Sequence, residues 1–467
     1  MSKIVSVSST DHFVAYKSDW LQPLIDPIVG QLIHEKPRKL IELVEEHGSP
    51  LNIVWPHALA ANVLAMRQVL NARRVRHQIF YGAKANKSKA LVRAAVSAGI
   101  GVDVSSIHEF QDARRAGAKA EQLCATGPAK TTAFHEALLL DGALISVDSL
   151  EEFAHLESTA TRLGAAGKAR VLLRYRPIFC DSSRFGMDAV DLLQCLQRLA
   201  QIPGLLQFEG FHFHLSGYAF GDRARALAEL APHIEAAREM GLAPRMVDIG
   251  GGLPMQYVDP ASYAAFLRSH NSASDYRNHK VPVSFYPYGG HLTAAEWLEQ
   301  LLDSACVDGL SIADYLEQQD LILALEPGRS LVDQAALSIF RITRTKQLAN
   351  NRTVLFAEGS SFSACETWFN SEFLIDPIHI SATCTDSTRC APTQAYIAGH
   401  SCLDDDVITN RLINFSVTPK PGDLLVYVNT AGYQMDLLEN EFHRHPLPTR
   451  LTAIRSADES IEFSPDY

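Results

Sequence analysis

Eight times between residues 78 and 327 a short, β-rich apolar run gives way to a longer stretch of helical period. No other feature constrains the fold as much. The runs are QIFYGAK (78–84), GIGVDVS (99–105), QLCATG (122–127), ALISVDS (143–149), RVLLRY (170–175), QFEGFHFHL (207–215), RMVDIGG (245–251) and LILALEP (321–327). Between them, stretches such as SKALVRAAVSAG and DRARALAELAPHIEAAREMG space their apolar residues as one face of a surface helix does. Alternating β and α units imply a parallel sheet, and eight of them over roughly 250–280 residues imply a closed (β/α)8 TIM barrel. An open, doubly wound sheet has the same alternation and stands as the alternative.

The flanks read differently. Residues 1–45 look like an extension, with helical spacing in Leu21, Ile25, Ile28 and Leu32, and His47-Gly48-Ser49-Pro50 then punctuates the chain before the apolar Leu51–Val54. The seventh interval carries a polar, aromatic insert, SHNSASDYRNHKVPVSFYPYGGH (269–291), of the kind that usually loops over the active face of a barrel. Beyond Arg341, strand-like runs (TVLFAEG, AYIAGH, LINFSV, DLLVYVN) are separated by turn residues and helical period fades. We therefore expect an extension (1–45), a barrel (46–340) and a mostly-β domain (341–467) joined by an N-terminal strand. A chain of 467 residues suits two domains.

Bulk properties exclude several classes. A net charge of −11 argues against a broad phosphate-binding surface, and so against nucleic acid as a partner. No stretch approaches the ~20 apolar residues of a membrane span, and the first residues lack the apolar core of a signal peptide. A cytoplasmic protein is expected. The eight cysteines are scattered singly, with no CxxC pair, and read as small apolar core residues.

Barrel chemistry sits at the C-terminal ends of the strands. The first run ends in Lys84, whose ammonium would lie in the barrel mouth, where a lysine can lower its pKa and form a Schiff base; a lysine snorkelling to the rim is the bland reading. The second run carries Asp103, the fifth Arg174, and the sixth His212 and His214. The two histidines share one side of a strand, but no third metal ligand is evident, so no metal site is expected. The seventh run leads into Gly250-Gly251-Gly252, which can approach an anion such as phosphate closely or can simply be a flexible loop. The eighth ends in Glu326-Pro327-Gly328-Arg329, a carboxylate and a guanidinium fit to partner a ring nitrogen and a phosphate. One cofactor would use all of these, pyridoxal 5'-phosphate.

These motifs resemble the fold-type III pyridoxal-phosphate decarboxylases, the family of diaminopimelate, ornithine and arginine decarboxylases, from about Gly48 to Pro446. FYGAKANKS resembles the lysine motif, which makes Lys84 the Schiff-base lysine. VDVSSIHEF resembles the next, which implies Asp103 and Glu109 near the cofactor. LLRY implies Arg174 beneath the pyridine, SSRFGMD matches a short family segment, and GFHFHLSG implies His214 stacked on the ring. DIGGGLP and EPGRSLV imply phosphate contacts from Gly250, Gly251, Gly252, Gly328 and Arg329, and Glu326 on the pyridine nitrogen. GHSCLDDD resembles the cysteine loop, so Cys402 would reach the partner subunit's active site, which implies a homodimer with shared sites. AGYQ would bring Tyr433 to the phosphate.

Departures bear on the reaction. The family's histidine is usually followed by Gly-Ser, whereas His214 precedes Leu215-Ser216-Gly217; Ser216 and Gly217 are the candidates for the displaced phosphate contact. Leu403, not an acid, follows Cys402, and Asp404, Asp405 and Asp406 come after it. The segment AEGSSFSACETWF (357–369) lacks the arginine that binds a distal carboxylate, and Glu358 is a loose replacement for an acidic family residue. The resemblance implies an α-decarboxylase of an amino acid or amino-acid conjugate, with Lys84, His214 and Cys402 as catalytic residues. A racemase or epimerase, or a silent homologue that binds a partner protein, are the rival readings.

Overall fold

The computed structural model describes residues 14–16 (backbone only), 21–164, 169–285, 288–349, 352–364, 371–372, 374–381, 391–456 and 458–466. It divides into two compact units, one built from Leu59–Pro254 and Leu292–Leu331, the other from the residues before and between those segments and from Val332 onward.

The first unit is the closed parallel barrel. Its strands are β1 (His77–Gly82), β2 (Gly101–Val104), β3 (Leu123–Ala125), β4 (Leu144–Val147), β5 (Ala169–Arg174), β6 (Leu206–His212), β7 (Met246–Asp248) and β8 (Ile322–Leu325). β8 pairs with both β7 and β1, which closes the ring and removes every sheet edge. All eight apolar runs of the sequence are these strands, and the open doubly wound sheet is excluded. Phe80, Cys124, Leu144, Leu172, Met246 and Ala324 form one buried cluster within it. The strands stop one to four residues short of these polar positions, so Lys84, Asp148, His214, Gly250–Gly252 and Glu326 all sit in the loops that follow.

Most of the outer helices begin on a hydroxyl or carboxylate that accepts a first-turn N–H: Ser88, Ser106, Thr131, Ser149, Asp188, Thr293 and Ser311. The 20-residue helix Phe220–Glu239 begins instead on Ala219, with no side-chain cap.

β6 owes its aim to a bulge. Its register against β5 shifts between Val171 and Leu172, which leaves Glu209 as an extra residue. The rings of Phe208 and Phe211 therefore meet, 5.3 Å apart, although a spacing of three positions would put them on opposite faces of a regular strand. Gly210 permits this: its φ is +142°, and a Cβ there would lie 2.0 Å from the Met246 carbonyl of β7.

The second unit is a sheet. From its edge the strands run Val14–Tyr16, Ile378–Ser381, Leu424–Val428, Ala336–Gln347, Thr353–Ala357, Thr393–Ala398 and Val407–Phe415. Leu51–Val54 pairs antiparallel with Ala336–Gln347 and parallel with Thr449–Arg455, which in turn pairs with Ile461–Pro465. These pairings move the boundaries expected from sequence. Leu51–Val54 and the first residues of Ala336–Gln347 belong to the sheet, not to a barrel spanning 46–340. The insert is also not a loop of the barrel. Residues 255–291 belong to the sheet unit, tied in by the bridge between Tyr276 and Arg411, by Asn278 to Asn410 and by the Tyr288 hydroxyl to the Leu374 carbonyl. The fully buried Arg411 anchors this region through Asp376 (2.7 Å) and the Leu374 carbonyl (2.6 Å). In the extension, the helix Pro27–Glu35 is capped by Asp26 and buries Val29, Leu32 and Ile33.

None of the five described cysteines is in a disulfide; Cys365, Cys384 and Cys390 lie outside the described residues. No described helix is long and apolar enough to cross a membrane.

Gly210→Ala places a methyl group against backbone and demands a φ that alanine resists. It should destabilise the chain by about 2–4 kcal/mol, read as a lower urea midpoint. An unchanged midpoint would show that β6 and β7 can separate at this point.

Candidate active site

Lys84 lies in a single 3₁₀ turn, Ala83–Ala85, that directly follows β1. Its Nζ reaches Asp103 Oδ2 on β2 at 2.9 Å, and the Thr126 hydroxyl donates to Asp103 Oδ1 at 2.6 Å. Burial pushes the Asp103 carboxyl up; the Lys84 ammonium opposes this and Glu326 adds to it, and the result stays above the ordinary value. Asp103 is thus a carboxylate that can accept a proton from its neighbour.

Glu326, immediately after β8, is 2% exposed, and neither carboxylate oxygen makes a hydrogen bond. Oε1 lies 3.6 Å from His212 Nε2, and Oε2 lies 3.5 Å from His214 Nδ1. Burial alone would raise the Glu326 carboxyl, but His212, His214 and Lys84 outweigh it and hold the group below its usual range. His212 is fully buried, its Nδ1 2.6 Å from the Ser146 hydroxyl. Burial drives its pKa well below the ordinary imidazole value of 6.5, and burial also lowers His214, with Glu326 pulling each the other way.

Asp248 ends β7. Its Oδ1 accepts the Gly250 N–H at 2.8 Å, while Oδ2 is buried without a partner. Burial and then the nearby Glu326 raise its pKa well above the ordinary value, so one of the two carboxyls is protonated while the other is charged. Cys124 is buried between these groups. Burial, then Glu326, Asp248 and Asp103, raise its pKa, which keeps it a thiol.

Glycine is required at all three positions of the tripeptide. A Cβ on Gly250 would meet His214 Nδ1 at 2.6 Å, one on Gly251 the Glu326 carbonyl at 2.6 Å, and one on Gly252 Arg223 Nη2 at 2.2 Å. Two of the three N–H groups are already engaged: that of Gly250 by Asp248, and that of Gly251 by His214 Nδ1 at 3.3 Å.

Other expected residues are placed as follows. Arg174 at the end of β5 pairs with Asp148 at 2.7 Å and stacks 4.6 Å over Phe185, and Asp148 also accepts the Gly186 N–H. The SRFG segment is thereby tied to the barrel rim. Glu109 spends its carboxylate on the Ser105 N–H, completing the cap of helix Ile107–Arg115. Ser216 is exposed, and the Gly217 carbonyl accepts from Arg223 at 2.8 Å. Gly328 packs its backbone against Gly82 of β1, and Arg329 is buried beside it.

Cys402 and Tyr433 belong to the sheet unit. Cys402 is exposed on a loop pinned by Asp406, which accepts the Ser361 N–H and hydroxyl and the Ser401 N–H. Asp404 pairs with Arg277 at 3.0 Å. Tyr433 is half-buried in a turn with φ +76°. Glu358 is neutralised by Arg341 at 2.9 Å and, with Ser360, His400 and Ser401, lines a cavity of about 250 Å³.

Thr126, Ser146, Asp148, Asp248 and Arg223 were not assigned roles from sequence. The first four are polar residues within or just after the fourth, third and seventh runs, and the rule that selected Lys84 and Glu326 applies to them equally. The structure also corrects one inference. His212 and His214 do have a third potential metal ligand, Glu326, with ligand atoms within 4.8 Å; Asp103, Cys124 and Glu326 form a second such group.

Because the folded His212 binds a proton less readily than the unfolded one, its contribution is complete above pH 6.5 and is lost as the pH falls from there towards the lowered folded value. Urea unfolding of the apo-protein should therefore show stability falling with acidification below that pH. In His212→Asn the slope should flatten by up to about 1.4 kcal/mol per pH unit. Equal slopes in the two proteins would place the titration elsewhere.

Residues 57–283 match the family model for the pyridoxal-binding domain of pyridoxal-dependent decarboxylases. The chain is 54% identical to the uncharacterized protein y4yA of Sinorhizobium fredii, over 96% of each chain. It is 25% identical to a diaminopimelate decarboxylase of Zymomonas mobilis, covering 87% of this chain and 88% of that one. In structure it is similar to diaminopimelate decarboxylase from M. jannaschii in complex with L-lysine, with a TM-score of 0.70, 17% identity and 91% of each chain covered. The cofactor of this family suits the barrel mouth: buried, unsatisfied oxygens on Glu326 face a protonated ring nitrogen's needs, and a glycine cradle that admits no Cβ lies beside them. The chain belongs to the fold-type III pyridoxal-phosphate-dependent decarboxylases and is a carboxy-lyase of that family.

Proposed function

We propose that this chain removes the α-carboxylate of an amino acid or amino-acid conjugate, with Lys84 carrying the cofactor and Cys402 returning a proton to the α-carbon. The observation that carries the reading is the Glu326 carboxylate, buried, charged and without a hydrogen bond, in the same barrel mouth as Lys84. Pyridoxal phosphate held here would supply the electron sink that decarboxylation needs. Glu326 holds the proton on the pyridine nitrogen, which keeps that acceptor strong. Asp103 takes the proton that the Lys84 Nζ must shed before it can act as a nucleophile, and the 2.9 Å contact positions it to do so. His214 would offer its imidazole face to the ring. Cys402 then protonates the α-carbon, and the product amine departs.

Substrate recognition supports a departure from free diamino acids. Of the acids after Cys402, Asp404 is paired with Arg277 and Asp406 is buried among serine donors, which leaves Asp405 to face a ligand. Glu358 is neutralised by Arg341. A substrate whose far end is uncharged or acylated suits this loop better than one ending in an ammonium group. Cys402 would act in the partner subunit's site, which makes the enzyme a homodimer with two shared sites.

Borohydride reduction of the enzyme loaded with cofactor, followed by peptide mass spectrometry, should find the pyridoxyl group on Lys84. Lys84→Ala should release no CO2 from any member of a panel of free and acylated amino acids. Mixing Lys84→Ala with Cys402→Ala should restore about a quarter of the wild-type sites through mixed dimers. A product that keeps its carboxylate but has lost its α-configuration would make the enzyme a racemase instead.

A further inference from the structure

Arg223 lies in the first turn of helix Phe220–Glu239, and its side chain is 1% exposed. Among the described residues it makes no ion pair with a carboxylate. Its Nη2 donates to the carbonyls of Leu215 (3.0 Å), Gly217 (2.8 Å) and Gly251 (3.3 Å), with Gly252 at 3.5 Å, and its Nη1 donates to that of Ala219 (2.9 Å). Nε is buried with no partner. Burial lowers the guanidinium pKa to about 10, so it remains a cation at neutral pH.

This is an unfavourable place for a positive charge. Carbonyl dipoles and the face of the Trp297 ring, whose centroid lies 5.6 Å from the guanidinium carbon, compensate only in part for the lost hydration of a buried cation, and Asp222 in the same helical turn adds an opposite charge without pairing with it. The charge also sits at the positive end of a helix dipole, on a 20-residue helix that begins without a side-chain cap. An anion at this point would relieve both. The same guanidinium joins the loop after His214, where Leu215-Ser216-Gly217 replaces the family's Gly-Ser, to the glycine tripeptide.

We propose that Arg223 is the buried counter-charge and positioning residue of the cofactor's phosphate site. It gathers the carbonyls of the two loops from behind, so that the N–H groups of Gly217 and Gly252 and the open helix N-terminus turn to the phosphate. This rests on the reading that the barrel holds pyridoxal phosphate. It supplies by charge and loop geometry what the lost serine hydroxyl supplies elsewhere in the family. Ser216, exposed, is then dispensable for the contact.

The test compares apo-protein of the wild type, Arg223→Lys and Arg223→Met. Affinity for pyridoxal phosphate and for pyridoxal is measured by equilibrium titration, and the melting temperature is followed with inorganic phosphate against chloride at equal ionic strength. Arg223→Met should bind pyridoxal phosphate about 10- to 100-fold more weakly and pyridoxal almost as the wild type does. Arg223→Lys should fall between. Inorganic phosphate should raise the melting temperature of the wild type and not that of Arg223→Met. Equal weakening towards both cofactors, or an unchanged phosphate response, would reduce Arg223 to a structural residue and overturn the proposal. If Arg223→Met does not fold, the wild type and Arg223→Lys decide: an unchanged ratio of the two affinities, or a wild type indifferent to phosphate, overturns it. A wild type that binds neither cofactor at Lys84 would overturn the cofactor reading itself, a result distinct from all of these.

Discussion

The barrel mouth is organised around one buried negative charge that the protein does not hydrogen-bond. Glu326 costs stability where it stands, because a desolvated carboxylate without donors is among the least favourable groups in a folded chain. The fold tolerates it by surrounding it with the His212 and His214 imidazoles, the Asp248 carboxyl, whose pKa is raised, and the Lys84 ammonium. Each of these depends on a further contact: His212 on Ser146, Asp248 on the Gly250 amide, Lys84 on Asp103. The site is therefore a set of mutually dependent pKa values.

Backbone geometry delivers these groups. The bulge at Glu209 sets the phase in which β6 reaches His212, and β7 can run beside it only because position 210 lacks a side chain. The glycine tripeptide then threads between His214, the Glu326 carbonyl and Arg223 at distances that no other residue allows. Local conformational freedom, confined to a few positions, thus fixes a charge arrangement spread over six strands.

The barrel was legible in the sequence because a parallel strand buried on both faces must be apolar throughout, and eight such runs leave few other solutions. The clustering of Lys84, Asp103, His214 and Glu326 was legible because polar residues in or just past apolar barrel strands have no structural excuse. An N-terminal strand was expected to join the β-domain, but which strands it pairs with was not legible. Leu51–Val54 finds its partners Ala336–Gln347 and Thr449–Arg455 hundreds of residues away, and short apolar strands carry no local record of which strand they will join. Arg223 was hidden for another reason: in a helical stretch rich in arginine, sequence alone does not show which guanidinium turns inward.

The sheet unit draws its strands and loops from three separated lengths of chain, with the barrel sequence lying between them. During synthesis Leu51–Val54 must wait, unpaired, until the ribosome has produced almost three hundred further residues. No single cut releases either unit intact: truncation near residue 340 would strand the early segment, and removal of the first 58 residues would open the sheet at its middle. Evolutionary loss or exchange of one unit by simple fusion is blocked for the same reason, so the two must be inherited together.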